Sequence, residues 1–310
     1  MTVNVQDVQA AAERITGRVR RTPVIEVAPG LVFKLELLQH TGSFKPRGAF
    51  NRLLLAKENG QLTGQGVVAA SGGNAGLASA YAARELGVPA RIFVPVNAPA
   101  PKVAKLRTLG AEVVEVGNEY AEAYAAAVIA RDETDALLVH AFDQPEIVAG
   151  QGTIGLELLE QVEAFDTVLV AVGGGGLVAG IATAIGDRAK VIGVEPVLSS
   201  ALHRALEAGQ PVDGPVGGVA ADSLGSRRLG DIAFAVAQKE GIGSLLVEEE
   251  AIIAARRKLW HDYHLAVEHG AATAYAALDS AAYQPADGER VIVLICGANT
   301  DPATLSVPTV

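Results

Sequence analysis

From residue 67 onward, short runs rich in Val and Ile alternate with Ala-rich stretches of about helix length, and this alternation confines the chain to the α/β class. Val67–Ala70, Arg91–Val94, Val113–Val116, Ala136–Val139, Thr167–Val172, Val191–Val194 and Arg290–Ile295 read as strands. Ala75–Leu86, Pro101–Leu109, Glu119–Asp132, Gln151–Gln161 and Leu177–Ile185 read as helices between them. Strands joined through helices pair in parallel, and a parallel sheet needs cover on both faces. With half of its 310 residues hydrophobic, the chain can build that core, and disorder is excluded as its main state.

The strand-helix units from 67 to 140 could close as a small domain inserted into a larger one made of 1–66 and 141–310. No internal repeat or low-complexity segment interrupts this plan.

The net charge of −10 opposes non-specific attraction to nucleic acid or an anionic membrane, so neither is expected as a partner. No run reaches the length of an apolar span, and the N-terminal stretch lacks the apolar core of a signal peptide. The single Cys296 excludes an internal disulfide framework. A soluble, cytoplasmic protein is the expectation.

In sheets of this kind a ligand sits beyond the carboxyl ends of the strands, where glycine turns let backbone amides approach it. Two such turns follow strands here, SGGNAG at Ser71–Gly76 and GGGGL at Gly173–Leu177. Neither has the spacing of a dinucleotide fingerprint or the Lys and hydroxyl of a nucleotide P-loop. Four glycines before an apolar helix expose N–H groups where a phosphate can bind, although a tightly packed turn would also use them. Asn74 has an amide that can meet a cofactor oxygen, and an N-cap role is equally open to it. Lys45, in TGSFKPRGA at Thr41–Ala49, becomes an amine nucleophile able to form a Schiff base with an aldehyde cofactor if burial lowers its pKa. For Cys296, at the end of the last strand, a buried structural thiol is the plain reading.

Together, TGSFKPRGA, SGGNAG, VGGGGLVAG, VIGVEP at Val191–Pro196 and LICGANTD at Leu294–Asp301 make the chain resemble fold-type II pyridoxal-phosphate enzymes. The likeness is to the serine/threonine dehydratase and serine racemase branch. It implies a tryptophan synthase β-like architecture of two domains, each with an open, mostly parallel twisted sheet flanked by helices. It would make the larger the cofactor-binding domain and the smaller the substrate-side domain. It further implies that Lys45 carries the pyridoxal 5'-phosphate and that Phe44 packs on the ring. Asn74 would bond the ring's 3-hydroxyl, Gly173, Gly174, Gly175 and Gly176 would hold the phosphate, and Cys296 would face the pyridine nitrogen. The turn Ser71, Gly72, Gly73 and Asn74 would receive the substrate carboxylate, and the freed Lys45 would take the α-proton. Relatives of this group are mostly homodimers, so a homodimer is expected. The helix beginning near Glu268 and Gly270 approaches the active site in relatives, and no residue in it is assigned.

Two departures narrow the reading. Racemases of the group carry a serine where this chain has Gly72, which cannot transfer a proton, so dehydration is favoured over racemisation. The His that usually follows the Asn is Ala75 here. Cation-binding relatives use a Glu before Pro, a carbonyl four residues on and an Asp six residues on. Here Glu195 and Ser199 remain, but the Asp position is Ala201, one carboxylate short. No metal is therefore expected, with Asp222 left open as a replacement ligand. His261, His264 and His269 do not share one helical face, and Arg227 and Arg228 read as solvated or near a subunit boundary.

The resulting expectation is elimination of water from L-threonine or L-serine, with hydrolysis of the released product to ammonia and 2-oxobutanoate or pyruvate. The alternatives are a dehydratase for another 3-hydroxy amino acid such as 3-hydroxyaspartate or a bulkier one, a serine racemase, a β-replacement enzyme of cysteine synthase type, or an inactive binding protein.

Overall fold

The computed structural model describes residues 2–305. Ten strands run in chain order as β1 (Val24–Ala28), β2 (Leu31–Lys34), β3 (Val67–Ala70), β4 (Ala90–Val94), β5 (Glu112–Glu115), β6 (Leu137–Leu138), β7 (Thr167–Ala171), β8 (Lys190–Pro196), β9 (Gly243–Val247) and β10 (Val291–Leu294). They form a six-stranded sheet in the order β1-β2-β10-β7-β8-β9 and a four-stranded sheet in the order β5-β4-β3-β6. Only the β1–β2 hairpin is antiparallel in the larger sheet, and the smaller one is parallel throughout. The α/β expectation holds, with helices packed against both sheets.

Burial explains the register of pattern and fold. The central strands β3, β7 and β10 are buried at every position, which is why they read as unbroken apolar runs. The edge strands β1 and β9 are half-exposed and irregular in pattern, and the sequence reading omits them. Helix Pro46–Glu58 lends Ala49, Phe50, Leu53 and Ala56 to the same apolar cluster as β3 and β4. Helix Pro145–Gln161 starts six residues before the expected Gln151, because its glycines serve packing rather than termination. A Cβ at Gly150 would stand 2.6 Å from the Arg47 carbonyl, and one at Gly152 2.7 Å from that of Gly180.

Both glycine turns lie at the carboxyl ends of parallel strands, β3 and β7. The loop carrying Lys45 is tied to the end of β10 by an isolated bridge between Ser43 and Gly297 and by the Phe44 N–H donating to the Cys296 carbonyl at 3.2 Å. Segments more than 250 residues apart therefore meet at one place.

Candidate active site

Lys45 stands immediately before a helix whose first residue is Pro46, a residue suited to that position because its missing N–H would be unpaired there anyway. The backbone thus fixes where the lysine leaves the fold. Its Nζ donates to the Ala141 carbonyl at 2.7 Å and lies 5.0 Å from the centre of the Phe44 ring. Burial pushes the ammonium down to about 8, against the opposing pull of Cys296 and Glu268. Near neutrality a useful fraction of this amine is unprotonated, as a nucleophile or proton acceptor requires.

The Ala141 carbonyl is placed by His140, whose Nδ1 accepts from the Phe142 and Asp143 amides at 3.2 and 2.9 Å. Burial lowers the pKa of this imidazole, so it stays neutral and can accept both bonds. Phe142 in turn packs on the glycine loop: a Cβ at Gly174 would overlap its ring, and one at Gly176 would stand 2.6 Å from its carbonyl. Gly175 has φ +89° and is closed in by Leu229 and Ala233. Packing and amide exposure both require glycine here. The first intrahelical bond of Gly176–Ile185 runs from the Ala179 N–H to the Gly175 carbonyl, so the N–H groups of Gly176, Leu177 and Val178 have no helical partner. Such a helix start holds a phosphate by hydrogen bonds and by its dipole.

The turn after β3 is built in the same way. The Ser71 hydroxyl accepts from the Gly73 N–H at 3.1 Å, and a Cβ at Gly76 would overlap the Ser71 carbonyl. Helix Asn74–Glu85 makes its first internal bond from Leu77 to Gly73, which leaves the amides of its first turn for an anion. The Asn74 side chain is clamped: its Oδ1 accepts from Asn299 and its Nδ2 donates to Glu268 Oε1, each at 2.7 Å. One Nδ2 hydrogen remains for a ligand oxygen.

Glu268 is the residue that sequence reasoning missed. It is 5% exposed and lies against Gly297, and burial pushes its carboxyl up to about 7 despite the bond from Asn74. A Glu immediately before a helix start looks like an ordinary first-turn acid, so only the fold reveals its contact with Asn74. Cys296 is 3% exposed, and burial pushes its thiol well above the ordinary value, so it is a neutral group.

A cavity of about 620 Å³ brings together Lys45, Ser71, Gly73, Asn74, Gly173 and Gly174. Gly72 joins Gly73 and Asn74 on a small adjoining cavity that Glu268 and Asn299 also line. Phe44, Gly175, Gly176 and Cys296 lie behind these walls rather than on them. The residues fit pyridoxal phosphate: a lysine with a lowered pKa, a clamped asparagine and the glycines that lead into an amide-rich helix start line one space, and a neutral thiol lies behind its wall. Arg227 and Arg228 are solvated, as expected, but they also line the rim of this cavity.

Of the candidate metal residues, Glu195 is engaged by backbone amides and Ser199 through its hydroxyl. Glu195 accepts from the Leu202 and His203 amides at 2.8 Å each, and the Ser199 hydroxyl bonds the Gly217 backbone. Asp222 pairs with Lys102 at 3.2 Å beside the main cavity. Among the described residues no group of three His, Cys, Asp or Glu is placed to hold a metal ion. His261 lies in helix Glu249–Tyr263, His264 caps it and His269 opens the next helix.

Comparison with known proteins agrees with this geometry. The model of the family described as pyridoxal-phosphate dependent enzyme matches residues 15–297. An L-threonine ammonia-lyase of Geobacter sulfurreducens is 40% identical over 97% of this chain and 76% of its own length. A phenylserine dehydratase of Ralstonia pickettii is 38% identical over 98% of this chain and 97% of its own. Among solved structures, maize serine racemase superposes with a TM-score of 0.92 at 31% identity, covering 98% of this chain and 96% of that one.

Proposed function

Since the chain belongs to the pyridoxal-phosphate dependent enzyme family, we propose that it eliminates water from a 3-hydroxy amino acid, the unsaturated product then taking up water to give a 2-oxo acid and ammonia, with L-threonine and L-serine as the first substrates to test. The observation that carries this reading is the half-buried Lys45, its pKa drawn down to about 8, in one cavity with the Ser71–Asn74 turn and the glycine loop. The names of the L-threonine ammonia-lyase and the phenylserine dehydratase support elimination over β-replacement.

In this reading Gly173, Gly174, Gly175 and Gly176 would hold the cofactor phosphate, Phe44 would support one ring face, Asn74 would bond the 3-oxygen and Cys296 would stand toward the ring nitrogen. When bound, pyridoxal phosphate supplies an electron sink that acidifies the substrate α-proton. The Ser71–Asn74 turn binds the substrate carboxylate through its hydroxyl and amides and so orients the Cα–H bond. Lys45 Nζ takes the proton from Cα. The neutral thiol of Cys296 does not supply a strong acid to the ring nitrogen, which moderates the sink and suits elimination over long-lived carbanion chemistry. Gly72 offers no proton donor on the opposite side, which disfavours racemisation.

The reading includes a small domain of 67–140 set into a large one of 1–66 and 141–310, with Lys45 between them. It also includes a homodimer in a cytoplasmic setting, supported by family likeness and by a lone thiol that needs no oxidising compartment. Among the described residues, no helix is long and apolar enough to cross a membrane. Light scattering of the purified protein tests the dimer. Release of ammonia and a 2-oxo acid from L-threonine or L-serine tests the reaction, and failure with every 3-hydroxy amino acid in the cofactor-loaded protein would exclude it.

A further inference from the structure

Beyond the groups that hold a generic amino acid, four large apolar side chains line the main cavity alongside Glu119, Asp222, Arg227 and Arg228. They come from different parts of the chain. Tyr120, the first residue of helix Tyr120–Thr134, and Phe142, in the loop after β6, form one side, and Val216 and Leu224 contribute from the long segment after β8. Tyr120 and Val216 remain 46% and 40% exposed, so two large apolar side chains are left in contact with water where they border the cavity.

The aromatic side is continuous. Tyr120 stacks on Tyr124 at 6.1 Å, Tyr124 meets the His140 ring edge-on at 5.4 Å, and His140 meets Phe142 at 4.7 Å. This file of rings runs from the cavity rim to the glycine loop. The rim cations are already engaged: Arg228 bonds the Pro211 carbonyl and Asp231, and Arg227 faces Glu119 at 3.6 Å. Lys102 is paired with Asp222. A second carboxylate on the substrate, as in 3-hydroxyaspartate, would compete with these acids for the rim cations. An uncharged flat group would instead bury Tyr120 and Val216 and gain ring contacts.

We propose that the vestibule of Tyr120, Phe142, Val216 and Leu224 selects a 3-hydroxy amino acid with an aryl-sized apolar substituent on its β-carbon. This rests on the elimination reading and names its substrate class. Carboxylate and amine are held as for any amino acid, and preference comes from the side-chain wall.

The experiment uses the cofactor-loaded enzyme with L-threonine, L-serine, 3-hydroxyaspartate and L-threo-3-phenylserine, alongside calorimetric binding of L-phenylalanine and L-alanine, which lack the leaving hydroxyl. The expected kcat/KM for phenylserine exceeds that for L-threonine by about tenfold or more, and L-phenylalanine binds more tightly than L-alanine by a similar factor. Tyr120→Ala and, independently, Val216→Ser each lower the phenylserine-to-threonine ratio by about threefold to tenfold. Both sites are partly exposed, so neither change empties the core. Turnover of L-threonine or L-serine without a phenylserine preference would overturn the inference and leave elimination standing. A 3-hydroxyaspartate preference would overturn it in favour of charge recognition. No release of ammonia from any of the four, with the cofactor bound, would overturn the elimination reading itself.

Discussion

Two lysines only eleven positions apart, Lys34 and Lys45, are both withdrawn from solvent and have opposite surroundings. Lys34, fully buried, donates to Glu157 at 2.5 Å, to the Thr22 carbonyl at 2.8 Å and to Gln161 at 2.8 Å. Beside it Arg47 makes a two-pronged bond to Glu36 at 2.8 and 2.7 Å and reaches Glu157 at 2.7 Å. Two cations face two carboxylates, and each has a partner. Lys45 has the neutral Ala141 carbonyl at its amine, with a carboxyl raised to about 7 and a neutral thiol nearby. The first cluster is fully paired; in the second, burial brings the amine of Lys45 and the carboxyl of Glu268 toward neutrality. Within one short motif, Lys45 and Arg47 fall on opposite sides of this division, which shows that the environment assigns the chemistry.

The contrast can be broken from either side. Lys45→Ala carries the largest effect: turnover falls by at least about 10³-fold and the visible band of the bound cofactor disappears, while the far-ultraviolet circular dichroism is retained. Arg47→Ala should do the reverse. It leaves Glu36 buried without its bidentate partner and costs about 3–5 kcal/mol in urea unfolding, with activity lost only in proportion to the unfolded fraction.

Glu268→Gln sharpens the comparison through pH. The folded chain holds the Glu268 carboxyl near 7, above its ordinary 4.5, because burial disfavours the anion. That group's stabilising contribution is therefore complete below about 4.5 and is lost as pH rises through about 7. Glutamine cannot ionise and can still accept from Asn74, so the stability gap between variant and wild type should widen from pH 5 to pH 8 by up to about 3 kcal/mol. Equal urea midpoints across that range would contradict the assigned environment. Gly72→Ser should have the smallest effect on stability, under about 1 kcal/mol, because a Cβ there meets only Val94 Cγ1, at 3.6 Å. The hydroxyl restores a proton donor at that position, and chiral chromatography of residual L-serine should then detect D-serine that the wild type does not produce.

Much of the architecture was legible because central strands are buried on both faces and announce themselves as apolar runs. Edge strands β1 and β9 were not, since their half-exposed residues lack a clean period. The early start of helix Pro145–Gln161 was hidden by Gly150 and Gly152, which signal a break in isolation and close packing in context. At the candidate site, Lys45, Asn74, Gly173 and Gly174 could be singled out from local motifs, and all four line one cavity. Glu268, Asn299, Tyr120 and Phe142 could not, because each gains its role from a contact made by folding, such as the Glu268–Asn74 bond across 194 positions.

On the proposed reading Lys45, and not its paired neighbour Lys34, is the reactive amine. The most direct measurement is borohydride reduction of the pyridoxal phosphate-loaded protein followed by peptide mass spectrometry. A single pyridoxyl group on Lys45, absent when L-threonine and reductant are added together at saturation, is the predicted result. Modification at Lys34 or scattered over surface lysines, with Lys45 unmodified, would contradict it.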